Sequence, residues 1–317
     1  MFVRSTLGLA LIFAATGCGT QQPQKEAPKK VVAPRVVEGS TVTSTTSGST
    51  VYASQKGNYA QRCQERDGQG CRNLSTLYEK GLGVKKNLKK SLTLVEKGCD
   101  YGNGSSCNRA GNFYDYGYAG VSNKQTAASY YKKGCDLNYG IACNNIGNAY
   151  ISGSGVVKNV GLAETYLNKA ISLGENAYAN LGFVYRLKGD DNKAIAYYKK
   201  GCDLKDATAC GNLAYVYKEQ KKYTKAYNYY LQSCNLADGS ACHIASMMIY
   251  RKQVTPANPT LTSYKLDMNS CELNNKVGCS DVAYDYEKGL GVTKDLKKAK
   301  FYYAKACRLG HKASCKR

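Results

Sequence analysis

The chain has 317 residues and carries 45 Lys and Arg against 23 Asp and Glu, a formal charge of +22 at neutral pH. Its two histidines, His243 and His311, are too few for the multi-histidine site of a zinc hydrolase, and no C-x2-C pair is present to hold structural zinc. What remains to be explained is the unusual count of 15 cysteines.

Residues 1–17 carry one basic residue, Arg4, and then an apolar run from Leu7 to Ala15. That run is too short to span a membrane as a mature helix and reads as a signal peptide. Ala15-Thr16-Gly17-Cys18 resembles a bacterial lipobox, with Ala15 where leucine is usual, so Cys18 is the expected lipidation site. Gly19 after it resembles an outer-membrane sorting signal. Residues 18–55 hold three of the five prolines and the run STVTSTTSGST. So little apolar surface cannot form a core. The stretch is expected to be a flexible tether with a reach on the order of 35 Å.

From residue 56 the chain is periodic. Cys63–Cys71, Cys99–Cys107, Cys135–Cys143, Cys202–Cys210, Cys234–Cys242, Cys271–Cys279 and Cys307–Cys315 all have C-x7-C spacing, which leaves only Cys18. One repeat, between Cys143 and Cys202, has Ile171 and Tyr178 where the two cysteines belong. Pairing across whole repeats would strand Cys143 and Cys202, whereas pairing within each C-x7-C strands nothing. Local bridges are therefore expected, each worth roughly 2–3 kcal/mol by loop closure. Such bridges persist in oxidising compartments, so the expected location is the periplasm or outer membrane, with secretion as the alternative.

The second cysteine of each pair, or Tyr178 in its place, recurs at steps of 32 to 37 residues. That is the period of a helical solenoid. Each unit contains two helical patterns; in helix A, for instance, Cys210, Leu213, Ala214 and Tyr217 fall on one face. Small residues occupy three fixed columns. One contains Gly111, Gly147, Gly182 and Ala214, a second Ala127, Ala163, Ala194 and Ala226, a third Gly98, Gly134, Ala170 and Gly201. Paired helices that approach closely account for all three. The expectation is an all-α, αα-hairpin repeat solenoid over residues 56–317, with an N-terminal half-repeat cap and seven repeats. The bridges would tie the end of each helix B to the next helix A. The G-x-G of KGLGV follows a helix, so it reads as a helix C-terminal turn rather than a phosphate loop. The Tyr-Tyr pairs of helix B read as inter-helix packing.

The units with the loops EKGLGV, at 79–84 and 287–292, and ISGSGV, at 151–156, resemble Sel-like repeats, and the two 32-residue units resemble tetratricopeptide repeats. With a C-x7-C pair at nearly every junction, residues 56–317 resemble the Helicobacter cysteine-rich protein family. The missing pair at Ile171 and Tyr178, the two short units and the lipobox depart from that pattern. The resemblance implies β-lactam binding or hydrolysis, but the residues offer little for it. The only S-x-x-K is Ser129 to Lys132, without S-D-N or K-T-G partners. Sister repeats place Ala196, Asn228 and Phe301 in the Ser129 column. No catalytic residue, metal or cofactor is expected.

The candidate binding residues are Asn73, Asn145, Asn180 and Asn212, which share one phase of helix A. Resemblance to tetratricopeptide proteins implies that this phase lines a concave groove, where an amide both donates and accepts hydrogen bonds. The alternative is a bond to the neighbouring repeat; Arg109, Ile244 and Asp281 interrupt the series. The expected partners are proteins or peptides, and the basic charge favours acidic envelope components. Membrane contact would be through the lipid alone, and nucleic acid is not an expected partner. The whole reads as an envelope lipoprotein that serves as an interaction scaffold, with a β-lactam hydrolase as the alternative.

Overall fold

The computed structural model describes residues 47–317, which are all-α, with no strand among them. They divide into two compact units, one reaching Asn180 and one starting at Leu181. In the first, helix α1 (Ser47–Gln64) precedes the hairpins α2 (Gly68–Lys80) with α3 (Leu88–Asp100), α4 (Gly104–Tyr116) with α5 (Lys124–Asp136), and α6 (Gly140–Ser152) with α7 (Val160–Ser172). Helix α8 (Tyr178–Leu187) carries the boundary. The second unit continues with α9 (Asp191–Asp203), α10 (Ala207–Glu219) with α11 (Tyr223–Asn235), and α12 (Gly239–Tyr250) with α13 (Pro259–Glu272). It ends in α14 (Lys276–Lys288), α15 (Leu296–Arg308) and a 3-10 turn, Lys312–Lys316. The even-numbered helices are helices A and the odd-numbered ones from α3 are helices B. The repeating hairpins follow the sequence expectation.

The N-terminal boundary differs. Helix α1 starts at Ser47, inside the stretch read as tether, because Tyr52 and Tyr59 pack with Leu74 and Leu77 of α2. Cys18 and the signal-peptide and lipobox readings lie outside the described residues.

Side-chain caps start every helix B except α11. Asn87, Asn123 and Asn159 have extended backbones, and their side-chain oxygens accept from the N–H three residues on at 2.9, 3.0 and 2.9 Å. Asp190, Asn258 and Asp295 do the same in the second unit, at 3.0, 3.2 and 2.9 Å. Such a cap contributes about 1 kcal/mol. The glycine loops end helices A as expected: Gly81, Gly117, Gly153 and Gly289 have φ of 74, 71, 77 and 74°. Only glycine adopts that left-handed turn without a Cβ penalty.

The small columns mark close helix contacts. A Cβ on Gly111 would lie 2.5 Å from the Tyr131 ring, and one on Gly182 would lie 2.6 Å from the Tyr198 ring. Where the column carries a side chain it is a hydroxyl with a partner, as with Ser75 and Ser91, 2.8 Å apart. The second tyrosine of each helix B pair therefore fills the core, with Tyr198 and Tyr230 almost fully buried. The first stacks on the tyrosine near the end of its own helix A. Ring centroids are 5.8 Å apart for Tyr114–Tyr130, 5.6 Å for Tyr150–Tyr166, 5.2 Å for Tyr185–Tyr197, 5.6 Å for Tyr217–Tyr229 and 5.7 Å for Tyr286–Tyr302. These near-parallel stacks add to the burial of the hairpin contact.

All seven C-x7-C pairs are disulfides, with Cα–Cα distances from 4.3 to 4.8 Å. The first six join the last turn of one helix to the first turn of the next, and the seventh joins α15 to the 3-10 turn. No described helix is long and apolar enough to cross a membrane.

Candidate functional site

The asparagine phase of helix A turns out to be a seam between repeats. Asn145 Nδ2 donates to Asn108 Oδ1 at 2.8 Å, and Asn180 Nδ2 donates to Asn144 Oδ1 at 2.8 Å. In each case the residue at the phase reaches back to the residue one position before that phase in the preceding repeat. The second unit keeps the offset with other chemistry. Asp281 Oδ2 lies 3.0 Å from His243 Nδ1. Arg109 turns away from the seam to form an ion pair with Glu79.

These placements separate the four candidate asparagines. Asn73 is half-buried and accepts from Gln69 Nε2 at 2.8 Å. Asn145 is half-buried with its amide engaged. Asn180 and Asn212 are only 8 % and 5 % exposed. Asn212 Nδ2 is buried without a hydrogen-bond partner. The geometry assigns Asn145 and Asn180 to the neighbouring-repeat bond that was the alternative to a groove role.

Three residues beyond the asparagine phase runs a second series that the sequence reading passed over. In the first unit it is Thr76, Asn112 and Asn148; in the second it is Phe183, Tyr215, Met247 and Tyr284. All seven are half-buried. Simple column alignment contained this signal, but attention to small residues and asparagines hid it. The Arg186 guanidinium sits 5.2 Å from the centre of the Tyr215 ring, and Lys218 Nζ sits 5.5 Å from it. Tyr215 Oη and Arg186 Nη2 both donate to Glu219, each at 2.7 Å. Burial, and then the positive charge of Arg251, lower the Lys218 pKa from its ordinary value. The second unit thus presents an aromatic and apolar row flanked by cations. Such a row can cover apolar side chains and pair with carboxylates.

The other sequence candidates disperse. Ser129 is exposed and donates to the Thr126 carbonyl at 2.8 Å, while Lys132 pairs with Asp136 at 2.8 Å. The S-x-x-K residues are therefore engaged separately. His311 Nδ1 is 2.7 Å from Ser314 Oγ. The histidine count did not reveal that His243 comes together with Asp267 and Asp281, their ligand atoms all within 4.8 Å of one another.

The Sel1 repeat pattern matches residues 68–103, 104–139, 140–175 and 276–311, and the tetratricopeptide repeat pattern matches 175–208 and 207–239. Among solved structures, c5321, a protective antigen present in uropathogenic Escherichia coli strains and displaying an SLR fold, is similar with a TM-score of 0.64 at 19% identity. That match covers 83% of this chain and 58% of that one, so this chain spans little more than half the length of that relative. A Sel1 repeat protein from Oxalobacter formigenes gives a TM-score of 0.59 at 25% identity, over 71% of this chain and 98% of the other. Helicobacter pylori cysteine rich protein B is 30% identical over 40% of this chain and 93% of its own, with a TM-score of 0.34. None of the curated protein sequences matches significantly.

Proposed function

We propose that this chain, which is built from Sel1 and tetratricopeptide repeats, is a scaffold that docks a peptide segment of a partner protein on the helix A face of its second unit. The observation that carries this reading is the row Phe183, Tyr215, Met247 and Tyr284, half-buried and flanked by Lys218 and Arg251. Half-exposed aromatic side chains offer large contact area at low entropic cost. The neighbouring cations and the chain's charge of +22 favour a segment that carries carboxylates beside its apolar residues. Helices fixed by caps and disulfides hold the row in place before binding, which lowers the cost of association.

A peptide array containing acidic and aromatic sequences, probed with the oxidised chain, tests the reading. Tyr215→Ala or Lys218→Glu is expected to weaken a selected peptide at least about tenfold, while Asn148→Ala in the first unit leaves it unchanged. If no peptide is selected, or Tyr215→Ala binds like the parent, the reading fails.

The same proposal puts the scaffold in the bacterial envelope. There the signal peptide 1–17 is removed, Cys18 is lipidated, and the chain that follows holds the repeats off the membrane. The support is the set of seven disulfides, which need an oxidising compartment, together with the lipobox. Fatty-acid labelling that disappears in Cys18→Ala is the expected outcome. A β-lactam hydrolase gains no support from the placement of Ser129 and Lys132.

A further inference from the structure

We propose that His243, Asp267 and Asp281 bind one divalent first-row transition-metal ion, of the Zn2+ type, where α12, α13 and α14 meet. Each side chain offers one ligand atom, and the three lie within 4.8 Å of one another. His243 Nδ1 and Asp281 Oδ2 are 3.0 Å apart, close to the spacing of two ligands that an ion holds at about 2.0–2.2 Å each. Both atoms are buried, and neither makes a hydrogen bond. The two residues nonetheless keep side-chain exposures of 21 % and 14 %, which leaves an entry path.

Asp267 supplies the independent observation. It is fully buried and stands four residues after the small column of helix B. Sister repeats place Val95, Tyr131, Leu167, Tyr198, Tyr230 and Tyr303 there, and all of these are buried. A carboxylate in an apolar core position is costly unless a cation and hydrogen bonds compensate it. The hydrogen bonds are built in. Ser246 Oγ donates to Asp267 Oδ2 at 2.7 Å and is itself 2.8 Å from Ser263 Oγ. Ser246 and Ser263 occupy the two facing small columns, where most sister repeats have glycine or alanine. Three columns have thus changed together in a repeat that neither repeat pattern matches. The result orients a carboxylate toward an imidazole and a second carboxylate, as outer partners orient metal ligands.

The donor set selects the class of ion. One imidazole nitrogen with two carboxylate oxygens suits zinc and its first-row neighbours, whereas calcium and magnesium sites are built from oxygen. The ligands come from three helices, so the ion ties the sixth hairpin to the seventh helix A. Three protein ligands also leave a coordination position for water.

The test uses the full, oxidised, untagged chain after stripping with a chelator. Titration with Co2+ is expected to saturate at one equivalent and give the visible absorption of a low-symmetry nitrogen and oxygen site. Zn2+ then displaces it and raises the melting temperature. His243→Ala and Asp281→Asn are expected to lose the band and at least about tenfold in Zn2+ affinity, while His311→Ala keeps both. These two variants alter partly exposed side chains and are checked for unchanged helical circular dichroism, so the result does not depend on whether an Asp267 variant folds. Absence of saturable one-to-one binding, or binding that survives His243→Ala, overturns the proposal.

Discussion

In the first unit the bonds between repeats are amide to amide, Asn108 with Asn145 and Asn144 with Asn180, and the row beside them is Thr76, Asn112 and Asn148. In the second unit the same two helix A phases hold His243 with Asp281 and the row Phe183, Tyr215, Met247 and Tyr284. Most hairpins behind these surfaces, in both units, use the same caps, the same small columns and the same tyrosine stacks. The repeat is therefore specified by the residues between its helices, which leaves the helix A face free to vary. The variation is not random, because along this row the aromatic and apolar side chains fall in the second unit and the polar ones in the first.

Disulfides give the largest effect with which to probe that comparison. Each unit contains buried bridges, but the first also contains the junction where Ile171 and Tyr178 replace cysteines. Changing both Cys202 and Cys210 to Ser is expected to cost the second unit about 2–3 kcal/mol, measured by denaturant unfolding. The junction of Ile171 and Tyr178 is one residue shorter than C-x7-C, and α8 starts only at Tyr178, so Ile171→Cys with Tyr178→Cys is expected to leave both thiols free and to add no stability. Formation of an eighth bridge in that variant, read by thiol titration, would mean that the junction has the geometry of its sisters after all.

A smaller effect separates the two kinds of buried asparagine. Asn145→Ala removes the donor to Asn108 and leaves an acceptor at the seam, so a cost of about 1 kcal/mol is expected. Asn212 has a buried Nδ2 without a partner, so Asn212→Leu is expected to be neutral or stabilising. Equal losses in thermal unfolding would show that the two asparagines are held alike, and the distinction drawn between the units at this phase would collapse.

The hairpins, their columns and the disulfides were legible because each repeats with the chain's own period, and the one repeat without cysteines identified the pairing. What the sequence concealed depends on how adjacent repeats are rotated. The offset that brings Asn145 to Asn108, rather than to Arg109, comes from helix packing, and no single repeat encodes it. Tyr52 could not be recognised as an anchor of α1, because the Ser and Thr residues before it read as linker. Asp267 was hidden for the opposite reason. It breaks a column of large apolar residues, and only its burial, together with His243 and Asp281 from neighbouring helices, gives the exception a meaning.

The smallest effect concerns two tyrosine hydroxyls that lean on glutamates, one in each unit. Tyr114 Oη donates to Glu96 at 2.7 Å, and that bond, ahead of burial, pushes its pKa up to about 12. Tyr303 Oη donates to Glu287 at 2.8 Å, but there burial is the leading cause of the upward shift and the glutamate comes second. A tyrosine whose folded pKa is raised stabilises the fold fully below its unfolded value of about 10. That contribution is lost as pH rises through the folded value. Glu96→Gln is therefore expected to bring the Tyr114 titration back toward its ordinary range and to flatten stability between about pH 10 and 12. Glu287→Gln should leave Tyr303 mostly shifted, because its burial remains. Ultraviolet titration of each variant, with Tyr114→Phe and Tyr303→Phe to assign the signals, reads the difference. Equal movement of the two tyrosines would show that their environments are alike, and that the contrast between the units does not extend to these two hydroxyls.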